Sequence, residues 1–99
     1  MDCSGSIYVL EKTLQQKVIQ ICKQHAILAV KVDSSSQRGW PDLTLLLPNG
    51  IVLFVELKTP TGRLSKLQEH THRRMKENNG NVHTIRDIDS FKSLIAQFT

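Results

Sequence analysis

The sequence predicts a small α/β sandwich, a mixed sheet flanked by helices in the order αβββαβα. Apolar residues recur at helical spacing near both ends, whereas "DLTLLL" and "IVLFVELK" in the middle are β-rich runs separated by "PNG". Ninety-nine residues bury only roughly 60–70% of their unfolded surface, so one sheet and a few helices fill a single domain, 1–99.

Taken in order, Ser6 to His25 places Leu10, Leu14, Val18, Ile21 and Cys22 on one helical face, with Lys and Gln on the other. "ILAVKVD", Ile27 to Asp33, alternates Leu28, Val30 and Val32 against Ala29, Lys31 and Asp33, a strand pattern. "SSSQRGWP" is a polar loop. In "PNG", Pro48 presets a turn, Asn49 tolerates it and Gly50 takes the left-handed position, so the two β-rich runs form a hairpin. A second helix runs from Ser65 to about Asn79 and is stopped by Gly80. "NVHTI" supplies the fourth strand, and "DIDSFKSLIAQF" a closing helix that buries Ile88, Phe91, Leu94, Ile95 and Phe98.

Lys+Arg 13 against Asp+Glu 9 gives a formal charge of +4. That balance suits a polyanionic partner, and equally a basic domain kept dispersed by its charge. Cys3 and Cys22 form neither a disulfide framework nor a Cys-x-x-Cys pair. "MDCSGSIYVLEK" lacks the basic and apolar segments of a signal peptide, and "IVLFV" falls far short of the roughly 18 residues of a membrane span. The expectation is a soluble protein of a reducing cytosol, with no membrane partner.

A three-residue hairpin loop sets Leu47 opposite Ile51 and Asp42 opposite Glu56, with both carboxylates on one side of the sheet. Lys58, two residues on, shares that face. Ile51, Leu53, Val55 and Leu57 form the apolar face, so the charges collect at one end of the sheet. Two carboxylates this close repel, and burying them costs several kcal/mol unless a cation lies between them. A hard divalent ion such as Mg2+ fits, held by Asp42, Glu56 and the carbonyl of Leu57. Lys58 would then hold the attacking water or offset charge on a phosphate, and the parts together describe phosphodiester hydrolysis. The plainer alternative makes Asp42 a strand-entry cap after Pro41, and Glu56 and Lys58 an edge-strand pair that discourages aggregation.

Pro41-Asp42 followed by Glu56-Leu57-Lys58 resembles the PD-(D/E)xK nuclease superfamily. More narrowly, "GWPD", "VELK" and "LSKLQ" resemble the virus-type replication-repair nuclease (VRR-NUC) family, over nearly the whole chain. The resemblance implies a restriction-endonuclease-like fold and a site of Glu11, Asp42, Glu56, Lys58 and Gln68, with Glu11 joining the metal ligands. Glu11 has a bland reading as a solvated helix residue, and Gln68 one as the end of a capping box with Ser65. The resemblance also implies a Mg2+- or Mn2+-dependent DNA endonuclease of phage type, acting as a homodimeric Holliday junction resolvase in bacterial or phage-infected host cytosol. A non-catalytic nucleic-acid-binding module, a flap or non-specific nuclease and a restriction-type nuclease stand beside it.

Arg63, Lys66, Arg73 and Arg74 would line a DNA backbone groove, or form a solvated helix face. His70 and His72 point to nearly opposite sides of a helix, which speaks against a shared zinc and reads as surface or phosphate-facing histidines. Trp40 either stacks on an exposed base or covers the sheet end, and Gly39 lets its loop approach a ligand or simply turn.

Overall fold

In the computed structural model, residues 3–33 and 38–99 are described, with side chains from Leu10 onward. Residues 34–37 of the polar loop, and the side chain of Cys3, lie outside the described residues. Helix α1 (Cys3–Gln24) starts before the expected Ser6 and buries Leu14, Val18 and Cys22. Leu10, expected on that stripe, is exposed, because the helix runs past the edge of the core there. The helix ends with Ile27 N–H donating to Cys22 O at 2.8 Å and Ala26 N–H to Lys23 O at 3.3 Å, around Ala26 at φ 56°. This is the Schellman arrangement that glycine normally completes, and buried Ile27 packs the turn into the core.

Strands β1 (Leu28–Lys31), β2 (Leu43–Leu46), β3 (Val52–Leu57) and β4 (Asn81–Ile85) form one sheet in that order. The first three pair antiparallel, and β3 pairs parallel with β4 through the crossover helix α2 (Lys66–Glu77). The hairpin register is the expected one: Leu43 faces Val55, Leu46 faces Val52, and Leu47 N–H donates to Ile51 O at 2.9 Å. Gly50 takes φ 87° at the third loop position, as the loop chemistry requires.

Helix α1 and helix α3 (Ile88–Phe98) cover one face of the sheet. Leu43, Leu45, Leu47, Leu53, Val55 and Leu57 project into the core beneath them, with Phe91, Leu94 and Ile95 of α3. Asp87 caps α3, its carboxylate accepting from Ser90 N–H at 2.7 Å. Helix α2 lies on the other face, against β4 and the end of β3. It is stopped by Asn79 at φ 65° rather than by Gly80, whose N–H instead donates to Met75 O at 2.8 Å. An asparagine can fill the left-handed position, so the glycine one place later misdirects the reading.

The strand expected from this alternation is present as β1, and its more apolar side is the one that points outward. Ile27 and Ala29 pack against the core, while Leu28 and Val30 are 65% and 59% exposed. Alternation marks two faces but not which one is covered, and α2 does not reach this part of the sheet. Among the described residues, no helix is long and apolar enough to cross a membrane.

Ala26→Gly is expected to raise stability by about 0.5–1 kcal/mol, because removing the Cβ relieves the left-handed strain by more than the added freedom of the unfolded chain costs. Urea denaturation of the two proteins, with unchanged slope, measures it.

Candidate active site

Asp42 lies at the entry to β2, after buried Pro41, and is fixed from both sides. Its carbonyl accepts from Val32 N–H at 2.9 Å, and its Oδ2 accepts from Leu57 N–H at 2.8 Å. Asp42 therefore ties the chain after β1, through its carbonyl, to β3, through its carboxylate, which is the capping role, and the same fixation holds it in register beside Glu56.

Glu56 is 2% exposed, an unusual place for a carboxyl group. Burial first, then the hydrogen bond and charge of Asp42, push its pKa up to about 9, with Glu11 adding to the rise and Lys58 opposing it. At neutral pH the metal-free pair thus keeps a proton on Glu56. Helix α2 roofs this group: Gln68 Nε2 donates to Glu56 Oε1 at 3.4 Å, and His72 Nε2 lies 3.7 Å from the same oxygen.

Gln68 closes the capping box, and its side chain also reaches Glu56. Its N–H donates to Ser65 Oγ and its Oε1 accepts from Ser65 N–H, a complete capping box, while its amide nitrogen turns to Glu56. One amide can do this because its oxygen and nitrogen point in different directions.

His72 corrects the sequence reading. It is buried, whereas His70 is exposed. Burial and the charge of Lys76 lower the His72 pKa, so a neutral imidazole meets a protonated Glu56, and the contact is no ion pair. His72 Nε2 has no hydrogen-bond partner among the described residues. Which side of α2 packs on the sheet, visible only in three dimensions, decides that His72 is buried and His70 is not.

Glu11 of α1 faces the same region from the other helix. With Lys12, Gln15, Lys31, Asp42 and Leu57 it lines a cavity of about 300 Å3. Lys12 and Lys31 were not singled out by sequence, since nothing local distinguishes them from other surface lysines. Lys58, half-buried just beyond β3, donates its backbone N–H to Ile85 O at 3.0 Å and acts on Glu56 through its charge. The following turn is held by Arg86, whose guanidinium donates to the carbonyls of Thr59 and Gly62.

Arg63, Lys66, Arg73 and Arg74 are all exposed, the last three on α2. Gly39, at φ 82°, brings the loop carrying Trp40, Pro41 and Asp42 against α2. A Cβ there would lie 2.6 Å from Thr71 Oγ1 and 2.9 Å from Leu67 O. The close approach is therefore to the helix, not to a ligand.

The donor set consists of oxygens alone, from Asp42, Glu56, the carbonyl of Leu57 and, across the cavity, Glu11. Among the described residues no three His, Cys, Asp or Glu side chains form a ready-made metal cage. A hard divalent ion that retains several waters needs only one or two carboxylates, and a buried Glu56 that keeps its proton beside Asp42 fits such an ion.

A family model described as the VRR-NUC domain matches residues 6–86. The chain is 30% identical over 67 residues to "Putative nuclease p44" of Acyrthosiphon pisum secondary endosymbiont phage 1, covering 68% of this chain and 72% of that protein. A solved structure titled "VRR_NUC domain" superposes with a TM-score of 0.82 at 24% identity, covering 91% of this chain and 98% of its own.

The raised Glu56 pKa has a defined sign. Between about pH 4.5 and 9 the unfolded chain has released a proton that the folded chain retains, so stability of the metal-free protein falls as pH rises through that window. Glu56→Gln is expected to flatten this dependence in thermal melts. Binding of Mn2+ must displace the proton, so titrations in buffers of different ionisation enthalpy are expected to report release of about one proton at pH 7.

Ser65→Ala and Gln68→Ala are each expected to cost about 1 kcal/mol of stability through the cap. Only Gln68→Ala is expected to weaken Mn2+ binding as well, since only it frees Glu56; calorimetry on both variants separates the two functions.

Proposed function

The chain belongs to the VRR-NUC domain family of nucleases, and we propose that it is a divalent-metal-dependent endonuclease that hydrolyses phosphodiester bonds of branched DNA, four-way junctions above all, as a homodimer. The observation that carries this reading is buried Glu56 paired with half-buried Asp42 at the sheet end, with Lys58 beside them. A binding module has little use for two carboxylates facing a phosphate backbone.

Asp42, Glu56 and the carbonyl of Leu57 would hold Mg2+ or Mn2+, with Glu11 contributing from α1. The ion, when bound, supplies a Lewis acid for the phosphoryl oxygen and lowers the pKa of water. Lys58 orients the attacking water or offsets the charge that develops on the phosphate, and it needs no direct bond to the ion for either task. Gln68 holds the Glu56 carboxyl by its hydrogen bond, and His72 packs 3.7 Å from the same oxygen. Lys12 and Lys31 at the cavity, and Arg63, Lys66, Arg73 and Arg74 around α2, neutralise phosphates on either side of the cut.

A junction is resolved by cutting two opposed strands, so one site per chain calls for two chains. The exposed apolar row Leu28–Leu46–Val52, paired directly across β1, β2 and β3, supports self-association, because such a patch costs free energy when left in water.

Labelled four-way junction, flap and linear duplex DNA, incubated with and without Mg2+ or Mn2+, tests the whole reading. The expected outcome is metal-dependent cleavage favouring the junction. Asp42→Asn and Lys58→Met are each expected to lose about a hundredfold or more in rate while still binding DNA. Leu46→Asp is expected to give a monomer by light scattering. Metal-independent cleavage by the wild type would overturn the metal-dependent mechanism, and absent cleavage with tight DNA binding would instead make the chain a binding module.

A further inference from the structure

Beside the metal site, on the face of the sheet roofed by α2, lies a second cavity of about 430 Å3. Trp40 and Phe54 supply its aromatic wall, Thr71 and Met75 the helix side, and His70 and Arg74 cationic or polar edges. Its volume falls within the range of small-ligand pockets, about 300–1,000 Å3. The two rings are already fixed against each other, edge to face, with centroids 5.7 Å apart and an interplanar angle of 84°. Gly39 fixes them further, since it seats the Trp40 loop on α2 with no room for a Cβ.

The position of this cavity follows from the strand period. Phe54 and Glu56 point to the same face of β3, two residues and therefore roughly 7 Å apart. Trp40 stands two residues before Asp42. Aromatic wall and carboxylate pair thus run side by side along the same two chain segments, within the reach of one nucleotide. Arg74 makes no ion pair among the described residues, which leaves its guanidinium for an anion. An aromatic wall, a cationic edge and an adjacent phosphodiester-cleaving centre match one chemistry, a base with its own phosphate.

We propose that this cavity receives an unpaired nucleobase of the DNA substrate, one nucleotide from the scissile phosphate, packed against the Trp40–Phe54 pair, stacked on one ring and edge-on to the other, with its phosphate toward Arg74. This rests on the nuclease reading above and adds to it a reason for preferring branched DNA. A branch point interrupts the regular duplex, so a nucleotide beside it is exposed at a lower cost than one inside a continuous duplex. Stacking selects by availability of a π-face rather than by base identity, so the preference is for structure and not for sequence.

Trp40 is the sole tryptophan, which makes intrinsic fluorescence a direct reporter. Single-stranded oligonucleotides in Ca2+, which permits binding without demanding turnover, are expected to quench it, and oligonucleotides with abasic sites throughout are expected to quench it far less. Equal quenching by both would overturn the proposal. So would equal quenching by a free deoxynucleoside monophosphate at the same concentration, which would assign the cavity to a free nucleotide. In cleavage, Trp40→Ala and an abasic nucleotide next to the cut are each expected to slow the reaction about tenfold, and to slow it no further when combined. Multiplicative losses would overturn the proposal, and Trp40→Phe, which keeps a ring, is expected to restore most of the rate. A wild type that cleaves nothing would defeat the nuclease reading alone, because the fluorescence comparison decides the cavity without cleavage.

Discussion

A carboxyl group removed from water at the end of β3 is the constraint to which the neighbouring structure answers. Glu56 is held between sheet and helix with Asp42 beside it, and two such groups cannot both be ionised without a cation. The pair is tolerated because Asp42 is anchored by Leu57 N–H, because Glu56 keeps a proton, and because Gln68 donates to it. On the proposed reading, a divalent ion would take the place of the proton on Glu56 and would meet carboxyl groups already held in place, so less of its binding free energy would go to organisation.

Helix α2 links this chemistry to the fold. Its first turn is closed by Ser65 and Gln68, its middle carries His72 onto Glu56, and its outer side carries Lys66, Arg73 and Arg74 toward solvent. The loop before β2 docks on the same helix through Gly39 and the Thr71 hydroxyl, which donates to Arg38 O at 3.4 Å. Asp42 and Glu56 are therefore positioned from two directions by one element. A substitution that shifts α2 would disturb the carboxylate pair, the aromatic cavity and the basic surface together.

The two faces of the sheet have different partners. Helices α1 and α3 seal one face over a continuous apolar core, whereas α2 covers only the β3–β4 half of the other. The uncovered half exposes Leu28, Val30, Leu46 and Val52. In a chain this small, leaving such residues in water is a cost with no local compensation, and the proposed homodimer would offset it by covering this half of the sheet.

The sequence by itself determined the element order, the hairpin register and the placing of Asp42, Glu56 and Lys58 at one sheet end. These follow from short-range rules: helical spacing at Leu14, Val18 and Cys22, the turn chemistry of Pro48-Asn49-Gly50, and the two-residue strand period. The capping box was legible for the same reason, since Ser65 and Gln68 are three residues apart. Only the tertiary structure decided the rest: that His72 is buried and His70 is not, that Gln68 reaches Glu56, that Gly39 meets α2, and that Leu28 and Val30 face outward. Each of these depends on which side of the sheet a helix covers and how far along it lies. Periodicity divides residues between faces, but it carries no information about what packs against each face, and that packing is what turns a list of polar residues into a site.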